Sequence, residues 1–264
     1  PLFCFCGDVP LWAQLRTSDR DGADGTLEAL KKIIPAIRQR FGKRVRIVVR
    51  GDSGFCREAL MNWIEAQPNV HYVLGLARNE RLQAMLAPAF WDTAAMLDED
   101  LVLSARAAGA VEPPGVEGSA RTFAELRYRT LKSWSRERRV IGKAEITGGG
   151  SNPRYIVTDI EIGAGWIAGH AALADARALY EDCYCARGDM ENRIKEQQMD
   201  MFADRTSTAY LSSNQLRLWF STLAYVVLNV LRERGLKGTQ LATARCDTIR
   251  TKLLKIGAAV TVTV

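Results

Sequence analysis

Val45-Arg46-Ile47-Val48-Val49-Arg50-Gly51-Asp52-Ser53-Gly54-Phe55 is the stretch on which the fold turns. Val45 to Val49 is a β-branched run, apolar nearly throughout, the pattern of a strand covered on both faces. It stops at Arg50-Gly51-Asp52-Ser53-Gly54, and a helical stretch follows from Phe55 to Ala66. His71 to Leu76 reads as the next strand. Strand, helix, strand in that order predicts an α/β chain whose sheet is at least partly parallel. Asp52 then stands at the carboxyl end of a buried strand, where open α/β sheets place their sites. An Asp there can equally cap the helix that follows. Local sequence leaves both roles open.

Working outward, Leu2 to Cys6 and Leu11 to Thr17 read as strands joined through Gly7, Asp8 and Pro10. Thr26 to Phe41 reads as a helix, with Leu27, Leu30, Ile33, Ile34, Ile37 and Phe41 on one face and a kink expected at Pro35. Residues 79–170 read as an insertion, helical and Ala-rich at first, with strands at Phe123–Thr130, Arg139–Thr147 and Tyr155–Thr158. Ala172 to Met199 reads as one long helix, or two joined near Gly188. Ser213 to Arg234 is an apolar helix, and the tail from Ile249 to Val264 reads as a strand. The expected organisation is therefore 1–78 and 171–264 as two parts of one core, with 79–170 between them.

Composition narrows the function. The chain has 264 residues, 47% hydrophobic and 25% charged, which fits a globular protein and excludes a disordered one. The longest charge-free run, Leu218 to Leu231, is fourteen residues, short of the roughly 20 that a membrane span needs. Six cysteines lie in no Cys-x-x-Cys spacing and there are two histidines, so zinc and His-based nucleophilic catalysis are poor fits. The cysteines read as reduced packing residues, which points to the cytosol. The net charge is +6, and residues 121–143 hold eight basic against two acidic side chains, so the excess is local.

Glu191 lies in Tyr184-Cys185-Ala186-Arg187-Gly188-Asp189-Met190-Glu191-Asn192-Arg193-Ile194-Lys195. On a helix Arg187, Glu191 and Lys195 share a face. That pattern suits a surface ion-pair ladder or a carboxylate held among phosphate-binding cations, and periodicity does not separate them.

Segments 45–55 and Tyr184-x-x-Arg187-x-x-x-Glu191, taken together, resemble the DDE transposases of bacterial insertion sequences, more narrowly the group with a Tyr-Arg-Glu signature. The likeness runs on through Tyr128-Arg129-Thr130-Leu131-x-Ser133-Trp134-Ser135, Ala203-Asp204-Arg205-Thr206-Ser207 and Asn214-Gln215-Leu216-Arg217-Leu218-Trp219. Gly-Asp-Ser-Gly-Phe alone is weakly specific. Both motifs in order, with Asp52 and Glu191 139 residues apart, are far more so.

The resemblance implies an RNase H-like mixed sheet flanked by helices, with a β-rich insertion before the last catalytic helix. It implies three carboxylates holding two Mg²⁺ ions, or Mn²⁺, for cutting and joining phosphodiester bonds at insertion-sequence ends. Asp52 and Glu191 would be the second and third carboxylates and metal ligands. Tyr184 and Arg187 would lie near DNA phosphates. Some related transposases carry a Lys seven residues past the Glu. Here that position is Gln198, and Lys195 is the substitute phosphate contact on the same face. The first carboxylate belongs on the first, central strand. This chain is expected to start one strand later, so that strand and its Asp would lie upstream of Pro1 and the fragment itself would be inactive. Asp8 is the only acidic candidate before Leu11, and it falls in the hairpin turn.

The implied partners are double-stranded DNA at element ends and target, and a second copy in a homodimer, with no membrane. The implied setting is the bacterial cytoplasm, at the nucleoid. The basic stretch reads as a DNA surface, with Arg136, Arg138 and Arg139 on phosphates and Trp134 stacked on a base. A solvated basic face with Trp134 in a small core is the competing view. Two other readings of the whole chain are a catalytically dead DNA-binding remnant and an RNase H-like interaction module.

Overall fold

The computed structural model describes residues 1–162, 175–255 and 257. The chain opens with the hairpin β1 (Leu2–Cys6) and β2 (Val9–Gln14), antiparallel and forming a two-stranded sheet of its own. Gly7 has φ +57°, the left-handed conformation that lets the chain reverse there. α1 (Thr26–Phe41) follows at the expected limits and continues through Pro35. Then come β3 (Ile47–Gly51), α2 (Glu58–Glu65) and β4 (Val70–Leu76). A single 3-10 turn, Ser53–Phe55, separates β3 from α2.

Two helices follow, α3 (Glu80–Ala95) and α4 (Glu99–Ala107). Each has a side-chain cap: Asn79 accepts from the Leu82 amide at 3.1 Å, and Asp98 from the Leu101 amide at 2.9 Å. The remaining strands are β5 (Ala120–Tyr128), β6 (Arg138–Thr147), the short β7 (Gly150–Ser151) and β8 (Arg154–Thr158).

β3 and β4 are parallel, and the sheet runs β3-β4-β8-β6-β5 with every later pair antiparallel. The fold is thus a mixed α/β sheet flanked by helices. The strands of 79–170 extend the β3-β4 sheet directly, because β8 pairs along β4 from Val73–Thr158 to Leu76–Tyr155. The local pattern had marked that stretch as an insertion, since strand periodicity carries no information about which neighbour a strand pairs with.

Alternation sorts the core onto two faces. Tyr72, Leu74, Val140, Tyr155 and Val157 pack with α1, α2 and α3, around Leu30, Ile34, Met61, Ile64, Leu82 and Leu86. Val73, Ile141 and Ile156 pack on the other side against Ile160, Leu179 and Tyr180.

The chain divides into two compact units, Thr26–Arg187 and Pro1–Gly25 with Gly188–Val264. In the first, α5 (Ala176–Ala178) runs into a π-helical segment, Leu179–Tyr184, and a 3-10 turn, Cys185–Arg187. In the second, α6 (Gly188–Lys195) leads into a π-helical turn, Glu196–Asp200. The expected long helix is therefore a succession of windings that changes at Gly188.

The second unit also holds α7 (Leu211–Val230) and α8 (Cys246–Ile249). One face of α7 carries Leu218, Tyr225 and Leu228 into the cores of this unit, beside Phe3 and Ala13 of the hairpin and Cys246 and Ile249 of α8. The tail differs from the expected strand. Cys246 and Ile249, three apart, are both fully buried on one helical face, and a π-helical turn continues to Leu254. The alternating Thr and Val at 258–264 lie outside the described residues.

Candidate active site

Asp52 sits immediately after β3 and caps the 3-10 turn, its Oδ1 accepting the Gly54 amide at 2.8 Å. The capping reading of Asp52 is therefore met, on the 3-10 turn that precedes α2. The cap occupies one carboxylate oxygen of an exposed residue, and a carboxylate offers about four acceptor positions.

The Tyr184 segment is brought against this turn. A Cβ on Gly75 of β4 would stand 2.6 Å from the Tyr184 hydroxyl, 2.8 Å from the Ser53 nitrogen and 3.1 Å from the Asp52 carbonyl carbon. Only glycine admits the phenol so close to the Asp52–Ser53 backbone. A Cβ on Gly51 would be tightly placed as well, 3.0 Å from the Phe55 ring.

Arg50 adds a second tie. It extends from β3 and donates to the Cys183 carbonyl at 2.8 Å, next to Tyr184. Arg187 lies over the Tyr184 ring, 5.4 Å from its centroid. Burial pushes the Tyr184 phenol above its ordinary pKa. The Asp52 charge adds to that, and the Arg187 charge and hydrogen bond oppose it. Tyr184 is thus a neutral O–H donor at physiological pH, between an acidic and a basic group. Asp52, Tyr184 and Arg187 belong to one compact unit and are brought together.

Glu191 and Lys195 belong to the other unit. Both are exposed on α6, Glu191 in its first turn and Lys195 at its last residue. Asp8, also in that unit, forms an ion pair with Arg193 at 2.5 Å. Among the described residues, no group of three or more His, Cys, Asp or Glu side chains is arranged to hold a metal ion.

The expected DNA surface needs correction. Trp134 is buried, edge-on to Tyr128 with ring centroids 5.7 Å apart. Arg138 is 3% exposed and donates to Glu65 at 2.7 Å, Glu58 at 2.8 Å and Asn62 at 2.6 Å. Arg139 is 2% exposed and donates to Glu125 at 2.9 Å and to the Ile160 carbonyl at 2.6 Å. These buried guanidiniums are committed to carboxylates and a carbonyl and have no face left for phosphate. Arg136 is exposed but paired with Glu65. Charge counting along 121–143 missed this for Arg136 and Arg138 because their partners Glu58 and Glu65 lie on α2, far away in sequence; for Arg139 the count alone did not show that Glu125 is its partner.

Sequence reasoning also missed Gly75 and Arg50. An isolated glycine inside a strand pattern signals a close backbone approach. Nothing local distinguished Arg50 from a surface charge.

The family model for transposase DDE domain, group 1, matches residues 1–264. The chain belongs to that family. No curated protein and no solved structure gave a significant match. Membership gives this DDE transposase domain its broad class: a DNA-acting enzyme domain with a catalytic role in transposition and recombination. Enzymes of this type work with divalent metal. Among the described residues no helix is long and apolar enough to cross a membrane.

Proposed function

We propose that this transposase domain cuts and joins phosphodiester bonds at insertion-sequence ends by a two-metal mechanism, with Asp52 and Glu191 as two of its three metal-holding carboxylates. The observation that carries the reading is the seating of Tyr184 over Gly75 against the Asp52–Ser53 backbone. It joins the Tyr-Arg part of the signature to the strand-end Asp.

The donor chemistry fits the ion. Asp52 and Glu191 are exposed hard-oxygen donors, the kind Mg²⁺ selects, and the cap takes only part of the acceptor capacity of Asp52. Bound there, Mg²⁺, or Mn²⁺ in its place, would activate the attacking water or 3′-hydroxyl and offset charge on the leaving oxygen.

The chain's own residues do the positioning. Arg187 presents a fork of N–H donors suited to a phosphate. The Tyr184 hydroxyl oxygen accepts a hydrogen bond from the Arg187 guanidinium and helps fix the orientation of that fork. Lys195 would contact a neighbouring phosphate as a point charge. The substrate is double-stranded DNA at the element ends and the target, in the bacterial cytoplasm at the nucleoid.

The proposal includes an RNase H-like core. Among the described residues β3 has a strand neighbour, β4, on one side only. A further strand bearing the first carboxylate would pair along its other side, beside Asp52. Asp8 is a weak candidate for that carboxylate because Arg193 already neutralises it.

The test is strand cutting of element-end DNA by the full-length transposase. With Mg²⁺, Asp52→Asn and Glu191→Gln should each lower cutting by about 10³-fold or more, with DNA binding retained. Undiminished cutting by either variant refutes the assignment.

A further inference from the structure

Tyr184 is held from one more side, by a residue outside the signature. Tyr180 lies four residues before it, and on a helical segment residues four apart share a face. The two ring centroids are 5.6 Å apart, with the planes tilted by 50°. The 3-10 turn Cys185–Arg187 then brings residues three apart into line, which carries Arg187 over Tyr184, 5.4 Å from its centroid. Tyr180, Tyr184 and Arg187 therefore follow one another in contact.

The foot of this series rests on the sheet. The β5–β6 register sets Phe123 directly opposite Lys143, so both side chains leave the same face. The Phe123 ring is 5.5 Å from that of Tyr180, and the Lys143 ammonium is 5.6 Å from the Tyr180 centroid. Glu145 fixes Lys143 in turn, at 2.7 Å. Tyr180 itself is buried, in one core with Val73, Ile141 and Ile156. Tilted ring pairs at this spacing favour contact by about two- to tenfold beyond the area they bury, and the cation over the ring adds to that. Tyr180 is thus seated more deeply than the half-buried Tyr184 that leans on it.

We propose that Tyr180 is a positioning residue for the transposition reaction. Seated on Phe123 and Lys143, its ring fixes Tyr184 against the Asp52–Ser53 turn, and through Tyr184 the direction of the Arg187 fork. The inference rests on the assignment of Arg187 to a DNA phosphate. It draws β5 and β6 into the site, since strands without a signature residue set the place of the signature tyrosine. Without the Tyr180 ring, the space beside Tyr184 opens and the phenol gains rotamers directed away from Gly75. A misplacement of about 1 Å in a positioning group costs about 100-fold in rate.

Single-turnover cutting of element-end DNA by the full-length transposase tests this, with enzyme in saturating excess and at a temperature below the onset of unfolding. Tyr180→Leu keeps an apolar side chain in the core and should slow cutting about tenfold or more, with DNA affinity held within about threefold. Tyr180→Phe keeps the ring and should restore most of the rate. Phe123→Leu, at a half-buried position, removes the seat and should slow cutting severalfold, which covers a failure of Tyr180→Leu to fold. Ile156→Val, the loss of a methylene in the same core, should leave the rate unchanged. Arg187→Gln should slow cutting as well, and adding Tyr180→Leu to it should cost little more, because the two act through one contact. Undiminished cutting by Tyr180→Leu, or effects of the two substitutions that multiply, overturns the positioning role and leaves Arg187 in the site. Undiminished cutting by Arg187→Gln overturns the assignment of Arg187 and the positioning role with it.

Discussion

Gly75→Ala is the sharpest single perturbation of the site. The new methyl would arrive 2.6 Å from the Tyr184 hydroxyl, 2.8 Å from the Ser53 nitrogen and 3.1 Å from the Asp52 carbonyl carbon. Two of these three atoms are backbone, and the third ends a rigid ring that cannot fold away. Overpacking of this kind costs about 1–3 kcal/mol. Loss of the unfolded chain's glycine freedom returns about 0.4–1 kcal/mol, because the φ of Gly75 is one that alanine accepts. The net expectation is a destabilisation of about 1–2 kcal/mol, or a fall in Tm of about 2–8 °C.

Because the chain holds two compact units, the readout should be local: urea-dependent amide hydrogen exchange at β4 and β8, supported by thermal unfolding. Gly148→Ala is the control, since a Cβ there would meet nothing within 4 Å. Tyr184→Phe removes the closest atom, so Gly75→Ala with Tyr184→Phe should recover part of the loss. A Gly75→Ala protein as stable as wild type would refute the close seating of Tyr184 on the Asp52 turn.

Other expectations follow from the same geometry. Arg138→Met leaves Glu58 and Glu65 facing each other without their shared cation, and should cost about 3–5 kcal/mol by urea unfolding, part of it regained by adding Glu65→Gln. Burial would raise the Glu58 pKa, but hydrogen bonds from Ser135 and Arg138 outweigh it and hold the carboxyl at about 2. Its contribution to stability is therefore complete above about pH 4.5 and is lost as pH falls towards 2. Ser135→Ala should move acid unfolding of this unit to higher pH, followed by circular dichroism. Arg50→Met removes the bond to the Cys183 carbonyl, and should cost about 1–2 kcal/mol and speed amide exchange across Leu179–Tyr184. Unchanged exchange there would show that Arg50 does not anchor the segment.

What the sequence disclosed follows from which interactions are local. α1 was legible at its limits because its apolar face repeats within sixteen residues. Asp52 was legible because a β-branched run ending in a glycine turn is a short-range signal. The continuity of the sheet through β8 was not, because Val73 and Thr158 meet across a long excursion of chain. The fate of Arg138 was hidden for the same reason. A basic run looks alike whether it faces phosphate or carboxylates contributed by another element, here Glu58 and Glu65. Arg139 was hidden differently, since its partner Glu125 lies within the basic stretch but on the neighbouring strand. The described start of the tail, to Leu254, is helical because Cys246 and Ile249 bury one helical face.

Whether Asp52 and Glu191 serve one metal centre can be read from the polypeptide itself. Fe²⁺ loaded into the full-length transposase in place of Mg²⁺, with ascorbate and peroxide added, cuts the chain beside the bound ion. Cuts at both the Gly51–Ser53 turn and the first turn of α6 around Glu191, all lost in Asp52→Asn, are the expected result. Cuts confined to one of those segments, or unchanged by Asp52→Asn, would contradict a shared centre.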